Sequence, residues 1–168
     1  MPDSPTSQPL QVPNLETPNP EGSTTASMVT ALVTPTSDPT QVEWIALTWD
    51  DRRKARQRVQ SDQGTELLLN LPRGTVLADG DCVLDEGKRQ IRIRAAAEAV
   101  LVIPFQDLET LGQVAHHLGN WHRPAQILAD GTMIAQADEP LQDWCRHHGL
   151  ACEWREQPFH ANVRGHSH

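Results

Sequence analysis

Short runs of alternating apolar and polar residues follow one another between residues 41 and 95. They combine β-branched, apolar and Trp residues at a spacing of two, which is typical of strands. Turn signals such as Gln63-Gly64 and Asp79-Gly80 separate them. The pattern predicts a small all-β domain over residues 41–95, with strands in the following segments: Val42–Trp49, Arg58–Asp62, Glu66–Leu71, Gly80–Asp85 and Arg89–Arg94.

From Ala97 the pattern changes to a longer period. An apolar run that ends at Pro104 predicts a strand. The apolar residues that follow fall at helical spacing and predict one amphipathic helix. We expect this helix to stop at Gly119-Asn120, two residues that accept left-handed geometry. The apolar positions of the helix are Leu108, Leu111, Val114, Ala115 and Leu118.

A hairpin and a second helix complete this region. The Asp130-Gly131 pair predicts a tight turn between two strands. Asp138 is a suitable N-cap for the helix that follows, and Gly149 a suitable end. A final strand is expected from Leu150 to Trp154. The order β-α-β-β-α-β over residues 96–157 predicts a ferredoxin-like domain, so the whole chain is expected to be an α+β protein.

Both ends of the chain are expected to lie outside these domains. Residues 1–40 are rich in Pro, Ser and Thr and contain no Lys or Arg, which predicts a disordered extension. Residues 158–168 are interpreted as a flexible tail that contains histidines.

Composition excludes several classes of function. Lys and Arg number 14 against 22 Asp and Glu, so the net charge of −8 disfavours nucleic acid as a partner. The start lacks a basic segment, and the apolar run of residues 95–105 is about half the ~20 residues of a membrane-spanning helix. Three cysteines without C-x-x-C spacing indicate a reducing compartment, so we expect a cytoplasmic protein. Cys145 and Cys152 are interpreted as small buried hydrophobes, with a ligand or nucleophile role as the alternative.

All eight histidines lie in the last third of the chain, and imidazole is a common metal ligand. His122 follows the first helix on a short loop, where its ring is accessible to a metal ion. Other histidines fall at helix ends, where favourable contact with the helix dipole is the alternative to ligation. His117 is retained among the candidate ligands because it lies about one turn before the loop. These helix-end histidines are His116, His117, His147 and His148.

The terminal Gly165-His-Ser-His168 supplies a second candidate. His166 and His168 alternate, so both rings can bind one ion if the tail is flexible. A cloning tag is the alternative, although a tag is normally an unbroken run of histidines. The chain has no nucleophile elbow, H-E-x-x-H, P-loop or dinucleotide motif, so we do not expect an enzyme.

The segment His117-Leu-Gly-Asn-Trp-His-Arg-Pro124 resembles the H-L-G-N-[RK]-H-x-P mark of the UreE urease accessory proteins, a family of nickel metallochaperones. Similarity continues through the Asp138-x-Pro-Leu-x-x-Trp helix and the Gly-His-Ser-His terminus. Only the first 40 residues lie outside the resemblance. Trp121 departs from the pattern, because it stands where the family usually has a basic residue.

The resemblance implies a homodimer that delivers Ni(II) for assembly of the urease active site. It implies that His122 of each subunit faces its mate and that the two rings share one ion. His166 and His168 would contribute further ligands. The N-terminal β domain would contact the other assembly proteins, among them the GTPase of the assembly complex, and the urease apoprotein would receive the metal.

Two other functions remain open from the residues alone. The same histidines would serve a general buffer for Zn(II) or Cu(II). A ferredoxin-like interaction module with incidental histidines, which binds no metal, is the third possibility.

Overall fold

The computed structural model describes residues 26–105 and 107–162. This part of the chain is mixed α+β and mostly strands, so the predicted class is confirmed. The elements in chain order are β1 Ser27–Val29, β2 Gln41–Leu47, α1 Trp49–Arg52, β3 Arg56–Gln60, β4 Glu66–Asn70, β5 Cys82–Asp85, β6 Arg89–Ala95, β7 Ala97–Ile103, α2 Leu108–Asn120, β8 Ala125–Ile127, β9 Met133–Gln136, α3 Glu139–His147 and β10 Glu153–Pro158.

Two three-stranded sheets form the N-terminal half of the described chain. One has the order β1-β4-β3 and the other the order β2-β6-β5. Each of the five predicted strand segments overlaps one of these strands. Because strand residues alternate between faces, apolar side chains from both sheets meet in one core. Its fully buried members include Ile45, Leu67, Leu69, Ile91 and Ile93.

The described fold begins earlier than the sequence predicted. Within the expected disordered extension of residues 1–40, Val29 of β1 is buried in the core, and β1 pairs in parallel with β4. Val33 bridges to Cys82, and the Thr36 amide donates a 2.6 Å hydrogen bond to Asp85. The composition of residues 1–40 describes the segment as a whole. One buried valine and a few backbone hydrogen bonds are enough to hold part of that segment against the sheet. The prediction of a disordered extension was therefore wrong for residues 27–36. Residues 1–25 lie outside the described part.

A buried carboxylate ties the two N-terminal sheets together. Glu43 is 2% exposed and accepts hydrogen bonds from Arg89 Nε at 2.7 Å and Ser61 Oγ at 2.6 Å. Arg89 also donates to Thr65 Oγ1 at 2.6 Å. Burial raises the pKa of Glu43, but the hydrogen bonds and the charge of Arg89 outweigh burial and bring the pKa to about 2.

The C-terminal half is an antiparallel sheet of order β10-β7-β9-β8 with α2 and α3 packed on one face. Leu101 and Met133 from the sheet meet Leu118 and Leu141 from the helices in this core. Asp138 caps α3 as predicted, since its carboxylate accepts from the Leu141 amide at 2.8 Å. None of the helices in the described ranges has the length and apolar character needed to cross a bilayer.

Two predicted element ends differ from the structure. Helix α2 continues through Asn120, and the left-handed residue after it is His122 rather than Gly119 or Asn120. The last strand begins at Glu153 instead of Leu150. The Leu150 amide donates to Cys145 O at 2.9 Å to terminate α3, so the chain joins the sheet only later.

The second face of the C-terminal sheet contacts the N-terminal half. Trp49 packs edge-on against Phe159 with ring centroids 5.7 Å apart, and its amide donates to Glu98 at 2.7 Å. Arg52, only 2% exposed, donates to the carbonyls of Leu77 at 3.2 Å and Phe159. One buried guanidinium thus links an N-terminal loop to the segment that follows β10.

Candidate metal centre

His122 lies in a hydrogen-bonded turn that ends α2. Its amide donates to Gly119 O at 3.0 Å, and the Arg123 amide donates to Leu118 O at 2.9 Å. These two bonds form the Schellman motif, in which the residue between Trp121 and Arg123 adopts left-handed geometry. His122 has a φ of 55°. For a residue with a side chain this geometry costs roughly 1–2 kcal/mol.

The loop presents His122 at the surface while its neighbours are fixed. His122 is exposed. The Arg123 guanidinium lies 4.9 Å from the ring centroid of Trp121 and forms an ion pair with Asp138. Burial raises the pKa of Asp138, but hydrogen bonds from Arg123 and the Leu141 amide bring the pKa below its usual value. The end of α2 is therefore joined to the start of α3.

His117 lies beneath this loop, between two indole rings. Its ring stacks on Trp144 at 3.9 Å with an interplanar angle of 13°, and Trp121 is 4.1 Å away on a tilted plane. Its Nε2 atom is buried and has no hydrogen-bond partner among the described residues. Burial lowers the pKa of His117, and the nearby charges of His148 and Arg123 lower it further.

The other described histidines are exposed. His116 Nε2 lies 3.0 Å from the side-chain Nδ2 of Asn120, one turn along α2. His148 follows α3, where Nδ1 lies 2.8 Å from Trp144 O. His147 is the last residue of α3, and His160 follows β10. In the ranges that the structure describes, no three His, Cys, Asp or Glu side chains form a group that could hold a metal ion.

His166 and His168 lie outside the described residues. The last described segment is held alongside β8: the Asn162 amide N–H donates to Ala125 O at 3.1 Å. The Asn162 side chain accepts from the Ile127 amide at 2.9 Å and donates to Ile127 O at 2.8 Å. The flexible tail predicted for residues 158–168 is therefore held in place as far as Asn162, beside a strand that begins three residues after His122.

The cysteines are away from this loop. Cys82 and Cys145 are buried free thiols, which confirms that they are small buried residues, and Cys152 is partly buried. Burial and the neighbouring Cys152 raise the pKa of Cys145 to about 12. This thiol is therefore protonated near neutral pH.

Sequence reasoning missed the aromatic surroundings of the loop. In the sequence, Trp121 stands out only as a departure from a basic residue, and Trp144 only as the last residue of the Asp138-x-Pro-Leu-x-x-Trp motif. The pairs His117–Trp121 and Trp144–His148 are each four residues apart, so each pair shares one helix face. This spacing indicates ring contact within each helix, whereas the stacking of His117 on Trp144 depends on how the helices pack.

The fold and the site define a two-part α+β protein that presents a histidine on a helix-terminating loop. Two family models match along the chain. The N-terminal domain of the UreE urease accessory protein matches residues 27–96, and the C-terminal domain matches residues 98–168. The chain belongs to the UreE urease accessory protein family.

Individual relatives carry the same description. The urease accessory protein UreE of Paraburkholderia xenovorans is 39% identical over 128 residues, which cover 74% of this chain and 56% of that protein. The corresponding proteins of Burkholderia ambifaria and Burkholderia vietnamiensis are each 38% identical over 128 residues, 74% of this chain. The match spans 63% and 64% of their respective lengths. The chain thus matches less than two thirds of each of these relatives.

Proposed function

We propose that the chain is a cytoplasmic nickel metallochaperone that delivers Ni(II) for assembly of the urease active site and is not an enzyme. The observation that carries the proposal is His122, an exposed imidazole held in left-handed geometry on a hydrogen-bonded loop. Strained backbone at an exposed potential ligand is typical of a functional position. The relatives are named as accessory proteins of urease, which supports the same role.

The proposed nickel site lies between two copies of the chain. One His122 supplies too few ligands for a stable site, whereas two from an isologous dimer, with tail imidazoles, reach four to six. His166 and His168 are the proposed tail ligands, and the attachment of Asn162 beside β8 supports this. His117 is a further candidate close to the loop, although its Nε2 atom is buried and its ring would have to move to bind an ion through that atom. A site of imidazoles without thiolates favours release of the ion, as delivery requires.

The two halves of the chain have separate proposed roles. Residues 96–157 form the ferredoxin-like domain that holds the metal and the dimer interface, and the observed order β10-β7-β9-β8 supports that assignment. The N-terminal β domain contacts the other assembly proteins, including the GTPase, and the urease apoprotein receives the ion.

Calorimetry with Ni²⁺ and Zn²⁺, run with light scattering, tests the proposal. We expect a dimer whose tightest site binds one Ni²⁺, and we expect His122→Ala to remove that site while the dimer persists. His160→Ala is the matched control, because His160 is exposed but lies after β10 rather than on the loop. Wild-type affinity in the His122 variant would contradict the proposed site.

A second experiment separates delivery from general metal buffering. Deletion of the gene should abolish urease activity and leave other nickel and zinc enzymes of the cell unaffected. A general loss of metal tolerance would favour a zinc or copper buffer. A chain that binds no Ni²⁺ at micromolar concentration would favour the interaction module.

A further inference from the structure

Four rings, here called the stack, contact one another in series beneath the loop of His122: three are stacked, and Trp121 is tilted by 54° against His117. Trp121 contacts His117 at 4.1 Å, His117 stacks on Trp144 at 3.9 Å, and Trp144 stacks on His148 at 4.2 Å between ring centroids. Trp121 and His117 belong to the end of α2, and the other two rings to the end of α3. The stack therefore joins the two helix ends through side chains.

The ring contacts fix the backbone of the loop on both sides of His122. Trp121 precedes His122 in sequence, and its amide donates to His117 O at 3.1 Å. The Trp121 ring lies between His117 and the Arg123 guanidinium, which is itself paired with Asp138. The residues on both sides of His122 are thus fixed, one by ring packing and the other by charge.

His117 is placed to pack rather than to ligate. Its Nε2 atom is buried against the neighbouring rings and has no hydrogen-bond partner among the described residues. To bind a metal through that atom, the ring would have to leave both Trp121 and Trp144. A neutral ring in this environment contributes dispersion and ring-ring contact.

We propose that His117 is a positioning residue, which together with Trp121 and Trp144 holds the loop so that His122 meets the ion in a fixed orientation. This inference rests on the proposed nickel function. Residues that orient a ligand typically affect metal affinity by about 10–100-fold when they are removed. The stack is the physical means by which a strained ligand position stays ordered.

Two substitutions of His117 separate positioning from ligation. His117→Phe keeps a flat ring between the tryptophans but has no nitrogen to bind a metal, whereas His117→Ala removes both. In Ni²⁺ calorimetry on the full chain, we expect His117→Phe to stay within about threefold of the unmodified affinity and His117→Ala to lose about tenfold. Equal losses in both variants would make His117 a ligand. Unchanged affinity in both would show that the stack has no role.

A matched pair at Trp144 guards against a folding defect in the His117 variants. An indole N–H is a donor and does not ligate metal. Loss of nickel affinity in Trp144→Ala, but not in Trp144→Phe, would therefore show that Trp144 affects binding by positioning the loop. Light scattering and circular dichroism establish that each variant is folded and has unchanged mass. Identical affinities in the Trp144 pair would overturn the inference.

Hydrogen exchange without metal distinguishes this inference from the nickel proposal. The amides of His122 and Arg123 donate to Gly119 O and Leu118 O, so their exchange reports loop order. We expect exchange about tenfold faster in His117→Ala and nearly unchanged in His117→Phe. If the chain bound no nickel, this pattern would still establish the loop-ordering role while the nickel proposal failed. Equal exchange rates in all three proteins would overturn the inference whatever the metal data show.

Discussion

His122 occupies at the end of α2 the position that Gly149 occupies at the end of α3. The Gly149 amide donates to Arg146 O at 3.1 Å and the Leu150 amide to Cys145 O at 2.9 Å, the same two bonds that enclose His122. Gly149 has a φ of 66° and His122 a φ of 55°. Only glycine adopts this geometry without steric cost. The same helix-ending motif thus has its usual glycine after α3 and a histidine in that position after α2.

The first prediction concerns replacement of His122 by glycine. His122→Gly relieves the left-handed strain and should raise the free energy of unfolding by up to about 1 kcal/mol, while His122→Ala keeps the strain. Both variants should lose the tightest nickel site. Gly149→Ala is the opposite control: it introduces a side chain in left-handed geometry and should lower the free energy of unfolding by about 1–2 kcal/mol. Urea unfolding measures all three, and a His122→Gly variant less stable than His122→Ala would contradict the strain argument.

The second prediction concerns Glu43 and acid. Its pKa is about 2 in the folded chain against an ordinary 4.5, so the folded state binds fewer protons than the unfolded state between these values. The stabilisation is complete above about pH 4.5 and is lost as pH falls towards 2. It amounts to about 3 kcal/mol. Glu43→Gln should flatten the pH dependence of unfolding over this window. An unchanged slope in the variant would assign acid unfolding to other carboxyl groups.

The third prediction concerns the junction between the halves of the chain. Arg52→Met removes the donor to Leu77 O and Phe159 O and should lower stability by roughly 2–4 kcal/mol, because two buried carbonyls lose a charged partner. Arg53→Met is the control, since the Arg53 side chain is 39% exposed, forms an ion pair with Asp50 at 3.8 Å and lies 5.8 Å from the ring centroid of Trp49. Calorimetry should show a lower transition temperature for Arg52→Met alone. Equal effects of the two substitutions would refute the role of burial.

The fourth prediction separates loop and tail ligands under the proposed function. Replacing His166 and His168 together by Ala should reduce the number of Ni²⁺ bound or weaken binding modestly, because the tail loses chain entropy on binding. The ion shared by the two His122 rings should remain. Titration of the double variant beside His122→Ala gives the stoichiometry. Complete loss of nickel binding in the tail variant would place the principal ligands in the tail.

Sequence patterns were sufficient for elements with a strong local signal. The apolar period of α2, the Asp138 cap and the Asp130-Gly131 turn depend on neighbouring residues, and the structure contains each of them. The start of the β domain could not be predicted, because β1 is defined by its partner β4, which lies about 40 residues away. Long-range pairing of this kind leaves little trace in composition.

The position of His122 on a loop after the first helix was predictable, but the arrangement of that loop was not. The motif around His122 indicated the loop, yet it placed the left-handed residue at Gly119-Asn120 instead of at the histidine. The propensity for left-handed geometry favours Gly119. The tertiary contacts of Trp121 and Arg123 place that geometry at His122 instead. The stack of His117 on Trp144 joins two helices and is invisible to any single-helix pattern.

The attachment of Asn162 to β8 makes the tail a tether with a fixed origin. His166 is four positions after Asn162, a reach of at most about 14 Å, and Ala125 lies within about 11 Å of His122 along the chain. Under the proposed function, a ligand so close to its attachment point would have an effective concentration of millimolar order beside the loop. Such a ligand would bind and release the proposed nickel ion repeatedly while staying near it. Transfer of the ion to a recipient protein would then proceed one ligand at a time.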